Sequence, residues 1–333
     1  MFQYLFKSVS LLTFLVIIIC GIYPLTLWII GQTVFPFQAN GSILLDTDGK
    51  LVGSKLIAQP FTKDEYFQPR PSAASYDASA SASSALAASN YALRDRVART
   101  LGPIVKYQNG ESVAPDIEKW FQQDTFQYKP NIVAQWTMLH NSLATAWVNA
   151  DPTHGAYVDD WMKVHPSIVT QFIKDNPATP QPKAADLAIV FFQNFSKENP
   201  GKFPSAVSHT VNGKTETKVE PVNTGSDVQS IFFDMWRQDH SDVVLQEVPG
   251  DLVTTSGSGL DPHITLQNAE FQIDRVVAKW AANLKRNPVD IKNEIEQLLQ
   301  KNVRAPFAGL AGEKFINVLE VNLELRKRYG SPQ

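Results

Sequence analysis

Residues 9–30 read VSLLTFLVIIICGIYPLTLWII. The run is almost continuously apolar, and it has the length of roughly 20 residues that a helix needs to cross a bilayer. No Asp, Glu, Lys, Arg or His occurs between Ser8 and Asp46. Gly21 and Pro24 are tolerable within such a helix, and Tyr23 and Trp28 suit its interfaces. A cleaved signal peptide would have a shorter apolar core and an A-x-A-like exit, which the run lacks. A lipid anchor at Cys20 would want a small residue before the cysteine, where Ile19 stands. The reading is a single uncleaved transmembrane helix over 8–31, with 1–7 as an N-terminal cytoplasmic flank. Charge fixes orientation poorly, because only Lys7 precedes the run and Lys50 is the first basic residue after it.

Beyond that run the chain reads as soluble. Its 333 residues suit one large or two ordinary domains. A hydrophobic share of 44% supports a normal core and excludes global disorder. Thirty Lys and Arg against 33 Asp and Glu leave a net charge of −3. With no long run of one sign, a nucleic-acid binder built on a basic stripe is excluded. One cysteine excludes an intrachain disulfide and any Cys-based zinc cage.

Two β-type runs follow the helix, 42–45 and 51–57, around an Asp48-Gly49 hairpin signal. A polar loop over 63–75 carries Pro69 and Pro71. Residues 78–88 are almost only Ala and Ser, as in low complexity or a weak helix. Ser89 or Asn90 caps the next segment, where Leu93, Val97 and Leu101 share a helical face. Arg94, Arg96 and Arg99 lie on its other faces and read as solvated charge. The middle, 103–242, holds five of the seven tryptophans and five of the six histidines. Helices are expected over 116–123, 131–149, 184–195 and 227–236, with a hairpin over 205–219 around Asn212-Gly213. A Ser/Gly-rich loop at 253–265 leads to a helix over 266–285, with Ala269, Ile273, Val276, Val277, Trp280 and Leu284 at helical spacing. Asn287-Pro288 starts another helix, with Ile291, Ile295, Leu298 and Leu299 inward. Last, Leu319, Val321, Leu323 and Leu325 alternate with Glu320, Asn322 and Glu324, the period of a half-buried strand.

Chemical motifs are sparse. The chain has no Walker A, dinucleotide loop, H-E-x-x-H or EF-hand spacing, and no G-x-S-x-G elbow. Ser256 or Ser258 with Asp261 and His263 would supply the residue types of a hydrolase. Adjacent residues of one loop rarely orient all three partners, however, and its glycines equally suit a tight structural loop. His154 with Asp151, Asp159 and Asp160 has the residue types of a metal cluster, although Asp151-Pro152 also marks a turn and the other acids suit a helix start. The middle tryptophans read as core anchors, with stacking on a ligand as the alternative. On residues alone, this is a membrane-anchored α+β protein without an evident catalytic centre and with no assigned metal.

Two separated blocks carry a resemblance. The first is Gly53-Ser54 and LIAQPF at 56–61, continuing through YFQPRPSAA at 66–74 to Tyr76. The second is VPGDLVTTSGSGLDPHI at 248–264. A weaker third block has Gly312-Glu313, Asn317-Val318-Leu319 and Asn322-Leu323. Together they resemble the KdpC family, the C chain of the Kdp potassium-transporting P-type ATPase, which also carries one N-terminal membrane helix. The family's S-G-G-S-N-L-G-P-[ST]-N stretch corresponds to 81–90 here, where Ser81, Ser84, Leu86, Ser89 and Asn90 persist and every glycine is replaced. Glycine permits the close backbone approach a phosphate-cradling loop uses. The resemblance therefore points to Ser84, Ser89 and Asn90 only weakly as nucleotide contacts.

The resemblance implies an α+β fold: one N-terminal transmembrane helix, then an extracytoplasmic domain of residues 32–102 and 243–333, interrupted by a mainly helical insertion over 103–242. It implies an accessory, non-catalytic subunit that assembles or stabilises an ATP-driven potassium pump and aids ATP binding by the catalytic subunit. No cofactor is expected on this chain, and ATP enters by resemblance alone. The implied partners are the catalytic P-type subunit, a potassium-conducting subunit, a small membrane peptide and the lipid bilayer of the bacterial cytoplasmic membrane. The family-signature residues, binding or structural, are Gln59, Tyr66, Phe67, Arg70, Ser256, Ser258, Asp261 and His263, with Arg70 expected to bond loop carbonyls or Asp261. The alternative is a membrane-tethered extracytoplasmic binding module that uses the aromatic middle block.

Overall fold

The computed structural model describes residues 2–46, 49–84, 86–87, 89–211 and 214–331. The apolar run lies in one helical stretch, Phe2–Val34, the one helix among the described residues long and apolar enough to cross a membrane. None of its residues is buried. The stretch widens into a π-helical turn at Ile17–Ile22. Pro24 lies just beyond, and it has no N–H to offer the carbonyl of Cys20. Helices relieve a lost bond of this kind by local rewinding.

The chain forms two compact units, one of residues 1–85 and 248–333 and the other of residues 86–247. Both mix helices with two-stranded antiparallel pairs, an α+β composition. In the first unit, Ile43–Leu45 pairs with Leu51–Ser54 as the expected hairpin; Asp48 of its turn lies outside the described residues. His263–Thr265 pairs with Phe315–Asn317. The helix Leu266–Leu284 is capped by Thr265, whose hydroxyl accepts from Asn268 N at 3.1 Å. The helix Pro288–Asn302 is capped by Asn287, which accepts from Val289 N at 2.9 Å. Their apolar faces bury Ile273, Val276, Trp280, Ile291, Ile295 and Leu299 in one core with Phe67, as their spacing predicts.

The stretch 319–325, expected as a strand, is part of the helix Val318–Tyr329. Its buried face includes Val318, Val321, Asn322 and Leu325, a helical spacing of three and four. One position of that face is polar and Leu323 is only half-buried, so the apolar residues alone imitate a period of two. The Ala/Ser stretch 78–88 is not helical at any described position.

The second unit contains the helices Tyr91–Leu101, Ala114–Phe121, Ile132–Leu139, Asn141–Ala150, Pro152–Val164, Pro166–Asp175, Ala188–Glu198 and Ser226–Asp239. Its hairpin, Phe203–Val211 with Lys214–Val222, is the expected one, although Asn212 and Gly213 lie outside the described residues. The expected single helix over 131–149 is two helices separated at His140, where φ is −134° and ψ is 50°. The helices Pro152–Val164 and Pro166–Asp175 were not expected. Each begins with a proline, which loses nothing in a first turn because that N–H has no helical partner. Arg99 is half-buried rather than solvated, and burial lowers its pKa. All five tryptophans of the unit are buried in its aromatic core with Phe191, Phe192, Phe203 and Phe232.

Candidate functional site

Past Gly53 and Ser54, which end the strand Leu51–Ser54, the first signature block runs through the first unit outside any strand. Its backbone groups are collected one after another by side chains of two helices. From Leu266–Leu284, Arg275 donates to the carbonyls of Asp64 at 2.8 Å and Tyr66 at 3.1 Å. Trp280 Nε1 donates to the carbonyl of Glu65 at 2.8 Å. Gln272 accepts from Gln68 N at 2.8 Å and donates to Gln68 O at 3.1 Å. From Val318–Tyr329, Asn322 accepts from Phe67 N at 2.9 Å and donates to Phe67 O at 2.8 Å. A carboxamide presents one acceptor and a pair of donors, so each of these two side chains replaces a neighbouring strand for one residue. Buried backbone groups need partners, and here they find them without a ladder. The block is thereby fixed while Phe67, fully buried, enters the core.

The same block holds the second one in place. Arg70 Nη2 donates to the carbonyl of Thr255 at 3.1 Å, and its Nε lies 3.5 Å from the carbonyl of Thr254. Ser72 Oγ donates to Gly259 O and accepts from the N–H groups of Ala74 and Tyr76 at 3.1 and 3.0 Å. Ala58 N donates to Leu260 O at 2.8 Å. Gly259 sits at φ +72°, and a Cβ there would lie 2.7 Å from the carbonyl oxygen of Ala82 and 3.0 Å from Ala74 N. Glycine is thus required twice, for its backbone angle and for the close passage of another chain segment.

Between the blocks opens a cavity of about 510 Å³, to which Leu56, Ile57, Arg70, Ser258, Asp261 and His263 contribute. Ser256 lies at its wall and is buried. Asp261 Oδ1 accepts from His263 Nδ1 at 2.9 Å and from His263 N at 3.1 Å. The imidazole also meets the edge of Phe315 at 4.8 Å. Ser258 Oγ accepts from Leu260 N at 3.1 Å. Among the described residues no hydrogen bond joins Ser256 or Ser258 to His263, so the base is not positioned on a nucleophile as acyl transfer needs.

The other sequence candidates make local contacts within the chain or face solvent. Gln59 Nε2 donates to Val52 O at 3.1 Å, and its carboxamide occupies the space where Gly53 would carry a Cβ. Tyr66 is buried edge-on to Phe61 at 5.4 Å, and burial raises its hydroxyl pKa. Ser84 Oγ is hydrogen-bonded to Thr255 Oγ1 at 2.9 Å. Asn90 caps the helix Tyr91–Leu101 by accepting from Ala92 N at 2.9 Å, and Ser89 is exposed. His154 stacks on Trp147 at 4.0 Å, and its Nδ1 faces Trp147 O at 2.8 Å. Asp151 caps the following helix. Asn322, Gln272 and Arg275 carry the site's geometry without having been singled out as site residues. A polar residue on an otherwise apolar helical face is the signal that marks Asn322.

The charge pair in the cavity has a pH signature. Burial alone would raise the Asp261 carboxyl, but the hydrogen bonds from the His263 ring and N–H, with the charges of His263 and Arg70, outweigh it and hold the pKa below the ordinary value. A depressed carboxylate contributes stability above its unfolded pKa, and that stability is lost as pH falls through the lower folded value. Asp261→Asn is therefore expected to lower the urea midpoint at pH 5, with the gap closing below about pH 3.9. A gap that does not change with pH would remove the carboxylate's charge from the account.

Comparison with known proteins agrees with these blocks. The family model described as "K+-transporting ATPase, c chain" (KdpC) matches residues 5–118 and 208–327. The chain is 48% identical over 99 residues to a potassium-transporting ATPase KdpC subunit of Pseudomonas aeruginosa, covering 30% of this chain and 54% of that one. It thus spans about half the length of that relative. It is 24% identical over 326 residues to the KdpC subunit of Clostridium kluyveri, covering 97% of this chain and 94% of that one. With the KdpC subunit of Microcystis aeruginosa it is 28% identical over 304 residues, covering 91% and 86%.

Proposed function

The chain belongs to the KdpC family, the c chains of K+-transporting ATPases, and from that premise we propose that it is an accessory, non-catalytic subunit of an ATP-driven potassium-uptake pump. The observation that carries the reading is the interlocking of the two family blocks, Arg70 on Thr255 and Ser72 on Gly259. They form a fixed surface around a cavity in which, among the described residues, neither Ser256 nor Ser258 is hydrogen-bonded to His263. Such a surface suits assembly or stabilisation of a complex. The chain also has no D-K-T-G phosphorylation motif.

In this reading the helix Phe2–Val34 crosses the bacterial cytoplasmic membrane and packs on partner helices by close van der Waals contact. The pump-directed domain, expected over 32–102 and 243–333, takes the first unit's residues up to 85 and from 248, on the extracytoplasmic side, and the chain between them is the insertion. The partners are the phosphoryl-transferring P-type subunit, the potassium-conducting subunit and a small membrane peptide. Any aid to ATP binding is exerted through the catalytic subunit.

The test is co-expression of the tagged chain with those two large subunits and purification in detergent. All three are expected to co-purify, and potassium-stimulated ATPase activity is expected to fall to background when this chain is omitted. A pump that retains that activity without the chain, together with failure to co-purify, would overturn the reading and favour a tethered binding module.

A further inference from the structure

We infer that the first unit carries a headgroup site for an anionic phospholipid between the helices Pro288–Asn302 and Val318–Tyr329. A cavity of about 430 Å³ there is lined by Gln297, Leu298, Lys301, Glu324, Lys327 and Arg328, three cations against one acid. A second cavity, of about 250 Å³, shares Glu324 and Lys327 and extends to Leu45 and Asp46 of the first hairpin. Lys301 lies 3.4 Å from Glu324, and Arg328 Nε lies 3.7 Å from Glu294. The Lys301 pair is loose and its lysine exposed, and such a pair is worth little in water, so Lys301 remains available to a phosphate; Arg328 also donates Nη1 to Glu294 O at 3.2 Å and keeps Nη2 to offer. Lys327 enters no ion pair among the described residues.

The position of the site argues for a lipid. Arg326 Nη2 pairs with Asp46 Oδ2 at 3.1 Å, which fixes the basic helix end to the hairpin. Only residues 35–42 separate that hairpin from the apolar helix. Eight residues reach at most about 28 Å when fully extended. This link is folded back instead: Ser42 N donates to Phe37 O at 2.9 Å and Ser54 Oγ to Gly41 O at 2.7 Å. The site therefore lies close to the membrane surface on which the chain emerges. Leu45 and Leu51 are exposed on the hairpin at 60% and 63%. An apolar rim beside a basic floor matches the acyl–headgroup boundary of an anionic leaflet, and a free phosphate would have no use for the rim.

The test uses the full chain in detergent, with retained lipid counted by native mass spectrometry. The probes are phosphatidylglycerol and phosphatidylcholine with the same acyl chains, so that non-selective binding to the membrane helix cancels in their ratio. Wild type is expected to retain phosphatidylglycerol preferentially. Lys327→Gln, an exposed change, is expected to lower that preference about fivefold, from about 1 kcal/mol per basic side chain near an anionic surface. The triple variant Lys301→Gln, Lys327→Gln, Arg328→Gln is expected to abolish it. A control triple in the second unit, Lys174→Gln, Lys197→Gln, Lys202→Gln, is expected to leave it intact. No preference in wild type, no loss in Lys327→Gln, or equal loss in the control would overturn the inference. Inorganic phosphate that displaces the lipid at comparable concentration would show a free-anion site and overturn it as well. This assay needs membrane anchorage but no pump partner, so it can fail or succeed independently of the proposed function.

Discussion

Asn322→Leu is expected to destabilise the first unit by about 2–6 kcal/mol, because two buried backbone groups lose the one side-chain partner they have among the described residues, at about 1–3 kcal/mol each. Leucine has the same branching and heavy-atom count and leaves no cavity, so the unpaired N–H and C=O of Phe67 dominate the cost, with any overpacking by its bulkier methyls added. Asn322 is 1% exposed and Phe67 is fully buried, which leaves water no route to replace the amide. Urea unfolding should show a lower midpoint with an unchanged slope. Limited proteolysis should show new cleavage around residues 64–70. Gln272→Leu acts on the adjacent residue, and the double variant should lose less than the sum of the singles once the segment is already released. Leu323→Ala, on the half-buried side of the same helix, serves as the reference and should cost far less. A loss for Asn322→Leu no larger than for Leu323→Ala would show that the carboxamide is not holding the segment.

Trp136→Ala is expected to remove about 3–5 kcal/mol from the second unit, the usual cost of truncating a buried Trp or Phe. Trp136 is 1% exposed. Its ring meets Phe192 at 5.3 Å and Phe203 at 5.7 Å, both edge-to-face, and Phe232 at 6.2 Å. Such pairs contribute beyond the area they bury. The deletion therefore empties the meeting point of a helix, a strand and a second helix. Near-UV circular dichroism should lose the aromatic signal of the unit, and thermal unfolding should move to lower temperature. Trp136→Phe should recover a large part of the loss, since a ring edge would again face Phe192. A destabilisation under about 1 kcal/mol would place the core of this unit elsewhere.

The elements legible in the sequence are those whose buried faces are uniformly apolar. The helices Leu266–Leu284 and Pro288–Asn302 announce themselves by spacing, and the second also by its cap Asn287. The hairpin Phe203–Val211 with Lys214–Val222 shows in its alternation and turn residues. The helix Val318–Tyr329 is hidden because it buries a carboxamide, and a hydrophobicity pattern cannot count a polar residue whose work is hydrogen bonding. The proline at 152 reads as a turn because a first-turn proline and a turn proline look alike until the helix behind it is known. Of the candidate site, the pairing of Arg70 with loop carbonyls was one of two partnerships expected, Asp261 being the other. The clamp that positions the site was not legible, since Gln272 and Asn322 lie more than 200 residues along the chain from the segment they bind and no local signal links them.

One contact in the first unit reaches further than its size suggests. Ser84 and Thr255 touch through their hydroxyls, and Ala82 N donates to Ser258 O at 3.0 Å. The polypeptide thus departs from this unit and returns to it at almost one spot. Closing a loop whose ends are already together costs only about 0.6 kcal/mol more for each doubling of its length. The anchored unit is therefore nearly indifferent to how much chain is carried between those two residues. That doorway makes it a natural graft point, where a passenger of very different size can be exchanged while the host keeps its own fold.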